Sequence, residues 1–187
     1  MGRTTWSIDP AHTDVSFSAK HMMITTVRGK FGDVEGSLTI DEDDPTRSRG
    51  EIRVRAASLG TGFGKRDDHL RSADFFDVDS HPWIVVNATD VEPVGGDRFK
   101  VTADVTIRGE ARPVVFDVEF LGTTQNFKGT RHAGFTARAT VNRKEWGLNW
   151  NMALETGGWL VGDQIRLDIE VAADEIAAPA AAETAAA

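Results

Sequence analysis

The stretch Phe99–Arg108, FKVTADVTIR, places Phe99, Val101, Ala103, Val105 and Ile107 on one side of an extended chain. Lys100, Thr102, Asp104, Thr106 and Arg108 fall on the other. A period of two with one apolar face is the signature of a half-buried β-strand. The same pattern returns downstream. Val114, Phe116, Val118 and Phe120 share a face, then Phe135, Ala137, Ala139 and Val141, then Ile165, Leu167, Ile169 and Val171. Upstream, shorter runs carry it at Val15, Phe17 and Ala19, at Leu38 and Ile40, at Ile52 and Val54, and at Ile84, Val86 and Ala88.

About eight strands are therefore expected, punctuated by turn chemistry at Gly95-Gly96-Asp97 and Arg108-Gly109-Glu110, with looser links at Gly122 to Gly129 and Gly157-Gly158. Short links imply antiparallel neighbours. A long antiparallel series with one apolar face must hide that face, in a closed barrel or in two stacked sheets. The barrel also removes exposed edges, and is the preferred reading. Two segments break the alternation. Gly60 to Pro82 opens on glycines and continues with charged residues, and a short helix is predicted at Lys65 to Ala73, with Leu70, Phe75 and Phe76 turned to the body. The alanine-rich end, AAPAAAETAAA from Ala177, has no amphipathic period and is expected to be disordered. The expected organisation is a flexible start at 1–3, an all-β barrel over 4–175, and a tail over 176–187.

The chain has 187 residues, enough for one domain with a sizeable core. A net charge of −8 argues against nucleic acid or an anionic membrane surface as the main partner. The absence of cysteine excludes disulfides, zinc–thiolate sites and cysteine nucleophiles. No apolar run has the length of a signal-peptide core or a membrane span, so a cytoplasmic protein is expected.

An eight-stranded barrel stands at a boundary: side chains can fill its interior, or it can hold one small ligand. Ala19, Gly36, Ala88, Ala103, Ala137 and Ala139 fall on or near inward parity and would leave space. Phe17, Phe31, Phe116, Phe120 and Phe135 could equally fill it as an ordinary core.

Four stretches bear on that choice: WSIDPAHTDVSFSAKHMMITTVRGKFGDVEGSLTID from Trp6, KRDDHLRSADFFDVDSHPWI from Lys65, VTADVTIRGEARPVVFDVEF from Val101, and VNRKEWGL from Val141. In this order they resemble the YceI-like family over roughly residues 4 to 173. The resemblance implies a lipocalin-like antiparallel barrel with a helical insertion. It further implies long polyisoprenoid chains bound in the interior, and homodimers. On it, the ligand is expected to meet Phe17, Ala19, His21, Phe31, Leu38, Ile52, Phe76 and Ile84. The rest of the expected wall is Val86, Val105, Phe116, Val118, Phe135, Ala137, Trp146 and Leu167. Two departures stand out. Many family members carry a secretory signal and this chain shows none, so an envelope role does not carry over. His81 and Val86 stand where the family commonly has aromatic residues, and loss of an inward aromatic would widen the cavity.

The polar residues admit both structural and functional readings. His12 and His21 are nine residues apart, about 30 Å along a strand, too far to share a metal unless His69, His81 or His132 came in from elsewhere. Hydrogen-bonded structural roles or head-group contacts are expected, and no metal or cofactor. On the insertion, Arg66, Asp67, Asp68, His69 and Arg71 form a solvated face, or a cap with Arg66, His69 or Arg71 near a phosphate or quinone oxygen. Arg143 is read first as a buried ion pair holding the strand turn, and second as a head-group contact. Trp146, Leu148, Trp150, Met152 and Leu154 alternate as if closing the core, with Asn149 and Asn151 towards solvent. Asp43-Asp44 beside Pro45 reads as a solvated turn. Gly60-x-Gly62-x-Gly64 lacks the strand–helix context of a dinucleotide site. There is no nucleophile elbow, phosphate loop or His-Glu-x-x-His motif. The favoured expectation is a non-catalytic carrier, store or sensor of a quinone, its precursor or a polyprenyl phosphate. The alternatives are an enzyme using His12, His21 or His69 at the barrel mouth, and a stress-related interaction protein with a filled core.

Overall fold

The computed structural model describes residues 2–125 and 129–176. Eleven strands run in chain order: β1 (Arg3–Ile8), β2 (Asp14–His21), β3 (Thr25–Phe31), β4 (Val34–Asp41), β5 (Arg49–Arg55), β6 (Leu59–Gly60), β7 (Trp83–Gly95), β8 (Arg98–Ile107), β9 (Glu110–Gln125), β10 (Arg131–Asn142) and β11 (Val161–Ile176). One α-helix, α1 (Gly64–Arg71), lies between β6 and β7. Among the described residues no helix is long and apolar enough to cross a membrane.

These pieces form one antiparallel ring of eight strands, three of them composite. β1 and β2 lie along the same edge of β11, with Ile8 opposite Ala173 and Asp14 opposite Glu170, so residues 9–13 are an excursion from one long strand. β4 pairs with β1 and β3 with β2, so β3 and β4 are likewise one strand, broken at Gly32-Asp33. β5 and β6 continue along β4 and β3 in the same way. β7, β8, β9, β10 and β11 then follow as simple neighbours. β11 closes the ring against β1 and β2. The eight predicted strands are therefore present, three of them as composites of two segments.

Inward parity sets the register, because slipping one strand by one residue would turn its apolar set to solvent. A bulge at Gly134/Phe135 pairs Phe135 with Phe120 and Gly134 with Gly122. Leu121 is thereby thrown outward, at 60 % exposure. Gly29 shows why a glycine sits in β3: a Cβ there would lie 2.5 Å from the Phe17 ring that covers it.

Several expectations need correction. Arg3 already pairs with Asp41, so the barrel begins at residue 3, and β11 carries it to Ile176. α1 ends at Arg71 rather than Ala73, where Ser72 caps it by donating to the carbonyls of Asp68 and His69. Gly122 lies within β9 and not in a turn. The segment after Asn142 is a 3-10 turn (Arg143–Trp146) followed by a loop, in which Trp146, Leu148 and Trp150 turn inward and Asn149 to solvent as expected, but the alternation fails beyond Trp150. Met152 is accordingly exposed, and Asn151 turns inward to bond both backbone groups of Val161. The predicted tail from Ala177 lies outside the described residues.

The ring has a lower end, with the residue 41–49 turn and the start of β10, and an upper end with α1 and the 143–160 segment. At the lower end Trp6 is buried, and the Arg131 guanidinium sits 5.2 Å from its ring. Arg131 also bonds Glu42 at 2.9 Å and Glu175 at 3.3 Å, ties that raise its pKa above the ordinary value, Glu42 contributing most. Beside the seam, His12 pairs with Asp9 at 2.6 Å and His132 with Asp174 at 2.8 Å.

Two carboxylates link this end to pH. Asp41 is held below the usual carboxylate range chiefly by the Asp44 N–H at 3.0 Å, against the cost of burial, with Arg3 and Arg47 adding to it. Asp9 is lowered mainly by His12. A depressed folded-state pKa contributes stability above the unfolded value of about 3.9 and loses it as pH falls through the folded value. Thermal stability is thus expected to fall steadily below about pH 4. Asp41→Asn should melt lower at neutral pH and show a shallower acid dependence. Parallel melting curves for the two proteins would refute this ion-pair role.

Candidate functional site

Between the two ends lies a cavity of about 800 Å³ with an almost wholly apolar wall. The alternative of a filled core is therefore not what the barrel contains. All sixteen predicted wall residues line the cavity. Phe17, Ala19 and His21 come from β2, Phe31 from β3, Leu38 from β4 and Ile52 from β5. Ile84 and Val86 on β7, Val105 on β8, and Phe116 and Val118 on β9 continue the wall. Phe135 and Ala137 on β10 and Leu167 on β11 complete the strands, and Phe76 and Trp146 approach from outside them. Of the small inward residues, Ala19, Ala88, Ala103 and Ala137 face the cavity, while Gly36 and Ala139 are not on its wall. The phenylalanines pack in pairs against the wall, Phe17 with Phe31 at 5.4 Å and Phe120 with Phe135 at 5.3 Å, which leaves the axis open.

The upper end is covered by two elements that touch each other. From the insertion come Leu70, Phe75 and Phe76; from the 143–160 segment come Leu148 and Trp150. The His69 ring stands edge-on to Trp150 at 4.5 Å and to Phe75 at 5.2 Å, joining the two. Trp146 is buried and donates its indole N–H to the Val105 carbonyl at 2.9 Å.

The head-group candidates separate by their partners. Arg66 lines the cavity but spends its donors on the Thr61 hydroxyl at 2.7 Å and carbonyl at 3.0 Å. His69 bonds Asp74 at 2.9 Å. Arg71 is not on the wall. Its guanidinium donates to the carbonyls of Ala57 at 3.0 Å and Leu59 at 2.6 Å and pins the helix to the barrel, so the expectation of a head-group contact there is withdrawn. Arg143 is 4 % exposed and serves as a staple. It donates to the carbonyls of Leu148, Trp150 at 2.9 Å and Gly162 at 3.1 Å, and lies 3.4 Å from Asp163. Burial lowers its pKa from the ordinary value, and Asp163 partly opposes this. The expected ion pair exists, but carbonyl bonds dominate the contact.

Two polar residues at the upper rim are differently placed. His21 and Lys20 both line the cavity, and neither side chain has a hydrogen-bond or charge partner among the described residues. Lys20 holds outward parity on β2 and is exposed, so it borders the cavity at its rim and not inside it. Arg131 was missed, although it shares parity with Ala133 and Phe135 and so stood as a lone cation on an apolar face. Asp9, His132 and Asp174 bring their ligating atoms within 4.8 Å of one another, but each is engaged in a His–Asp pair, Asp9 with His12 in the 9–13 excursion and His132 with Asp174 across β10 and β11.

Arg143→Leu would strand three carbonyls and release the segment that covers the cavity. A loss of about 3 kcal/mol in urea denaturation is expected. Faster amide exchange over residues 147–160 should accompany it, and unchanged exchange there would contradict the staple.

Residues 6–173 match the family described as the YceI-like domain. A UPF0312 protein of Staphylococcus epidermidis is 33% identical over 166 residues, covering 88% of this chain and 94% of that protein. Among solved structures, the Campylobacter jejuni YCEI protein superposes with a TM-score of 0.72 at 26% identity, over 84% of this chain and 90% of that one. A polyisoprenoid binding domain from Saccharophagus degradans, implicated in plant cell wall breakdown, gives a TM-score of 0.68 at 14% identity, over 92% and 99% of the two chains.

Proposed function

We propose that this chain, which belongs to the YceI-like family, binds a long-chain isoprenoid lipid along the barrel axis and acts as its carrier or store. The observation that carries the reading is the open apolar interior of about 800 Å³. That volume falls within the range of about 300–1,000 Å³ usual for ligand sites. Its shape suits a chain rather than a compact molecule. β10 has 12 residues, and at about 3.3 Å each and a tilt near 40° such strands enclose a tunnel about 30 Å long. The Saccharophagus degradans domain of the same fold is a polyisoprenoid binder by description, which supports the same class of ligand.

The energetics need no polar recognition along the chain. Each buried CH₂ contributes about 0.8 kcal/mol, so roughly ten give the 8 kcal/mol of micromolar affinity before ordering costs are subtracted. The polar end is the natural place for selectivity. Lys20 and His21 at the rim favour an acidic head group such as a phosphate, and polyprenyl phosphate over a neutral quinone. Binding is favoured over catalysis because the three candidate histidines are not assembled. His12 pairs with Asp9 outside the wall, His69 is wedged against Trp150 and tied to Asp74, and His21 stands alone at the rim.

Lipid extraction and mass spectrometry of the purified protein test the reading directly; recovery of no isoprenoid, with none taken up on incubation, would sink it. Ala137→Phe should fill the mid-barrel space, cutting uptake about tenfold or more while leaving the fold intact. Phe116→Asp should abolish uptake with some loss of stability. Lys20→Gln together with His21→Gln should weaken a polyprenyl phosphate more than the matching polyprenyl alcohol, by several-fold in competition binding. Equal weakening of both would remove the head-group assignment.

A further inference from the structure

Five large apolar side chains are exposed together at the upper end: Met22 at 47 %, Met23 at 67 %, Ile24 at 80 %, Met152 at 54 % and Trp159 at 53 %. They belong to two loop tips that touch. The Met22 N–H donates to the Leu160 carbonyl at 2.8 Å, and the Leu160 N–H donates to Met152 at 2.9 Å. A Cβ on Gly158 would lie 2.7 Å from the Met23 sulfur, so that side chain lies across the second loop. The turn's backbone does not call for these residues. Met22 and Met23 both hold left-handed φ values, 50° and 62°, and Ile24 N–H closes the turn on His21. Such turns favour Asn and Gly, and a β-unbranched side chain there costs roughly 1 kcal/mol. Methionines stand in a strained turn with their side chains in water. Neither packing nor turn chemistry explains them.

The patch is continuous with the cavity. Lys20 and His21 lead into the first tip, Leu160 and Val161 lead out of the second, and all four line the cavity wall. We propose that these two loop tips form a docking surface for a lipid bilayer, entering its interfacial zone beside the opening through which an apolar cargo passes. A tryptophan is a residue that settles at the boundary of headgroups and acyl chains, and the exposed methionines and isoleucine beside Trp159 supply apolar surface to insert there. A second copy of the chain fits less well. Five part-exposed side chains offer a few hundred Å², whereas a stable dimer buries about 800 Å² per partner. With a net charge of −8, and Glu155 in the second tip, attraction rests on apolar insertion and not on anionic lipid.

The purpose of the surface rests on the lipid-binding reading, but its existence is tested apart from cargo. The probe is flotation of the full chain with vesicles of phosphatidylcholine alone. Binding is expected, and 0.5 M salt in place of about 0.1 M should leave it unchanged. Met23→Asp combined with Ile24→Asp, and separately Trp159→Ser, should each lower binding at least about tenfold. Val115→Asp with Leu121→Asp, at residues 52 % and 60 % exposed on the barrel's flank, should not. Loading with a polyprenyl phosphate from detergent micelles, which bypasses the bilayer, should persist in the tip variants. Absence of vesicle binding, equal losses in tip and flank variants, or dependence on anionic lipid would each overturn the docking surface while leaving cargo binding standing. A concentration-dependent dimer in sedimentation, abolished by Ile24→Asp, would assign the patch to a second copy and overturn it too. Failure of micelle loading in the native chain, with vesicle binding intact, would instead count against the cargo.

Discussion

Everything in this molecule depends on the hydrogen-bond ladder along β11. This strand, Val161–Ile176, is bonded on one edge to β10 and on the other first to β2 and then to β1. Without that second edge the sheet would be an open, curled ribbon with one apolar face in water. With it, the strand count is fixed at eight, and strand count largely determines barrel width. The interior is then decided by side-chain size alone. Alanines at positions 19, 88, 103 and 137 face the axis, and the phenylalanines lie paired along the wall, so the space persists. The cavity follows from closure plus small residues, and no separate element is needed to create it.

The cover of the upper end has no such independence. α1 spans eight residues, well below the length at which a helix holds together in water. It is held by tertiary contacts: Arg71 on the carbonyls of Ala57 and Leu59, buried Asp67 accepting from Thr61, and Phe76 edge-on to Phe31 at 5.8 Å. The 147–160 segment is held the same way by Arg143 and by Asn151. Each cover is thus anchored by a few polar contacts on a rigid ring, which places both at the low-stability end of the structure.

Much of the fold was legible because the strand period is strict. FKVTADVTIR and the runs at 114–120, 135–141 and 165–171 fall in the ring with the predicted faces inward. β1 and β3 were not singled out, for physical reasons. Pro10 and the excursion at 9–13 cut one composite strand, and Gly29, which carries no side chain to mark a face, blurs the other. Alternation held from Trp146 to Trp150 and misled beyond it, where the chain is a loop and not a strand and Met152 is exposed. At the candidate site, parity identified the wall, since wall residues are defined by the direction they face. Charged residues resisted this treatment. Whether Arg66, Arg71 and Arg143 are available depends on carbonyls brought from residues 57 to 61 and 148 to 162, contacts that no local pattern encodes.

The separation of ring from cover has a kinetic meaning. A tunnel wall made of aliphatic and aromatic groups sets how tightly a greasy occupant is held. For an occupant that leaves through the upper end, dwell time would answer to another quantity, the frequency with which the His69–Trp150 contact parts. If entry and exit share that gate, substitutions in the cover would hasten or delay escape while equilibrium occupancy stays put, because both rates change in proportion. Retention time and affinity are thus two separately adjustable properties of a single small barrel.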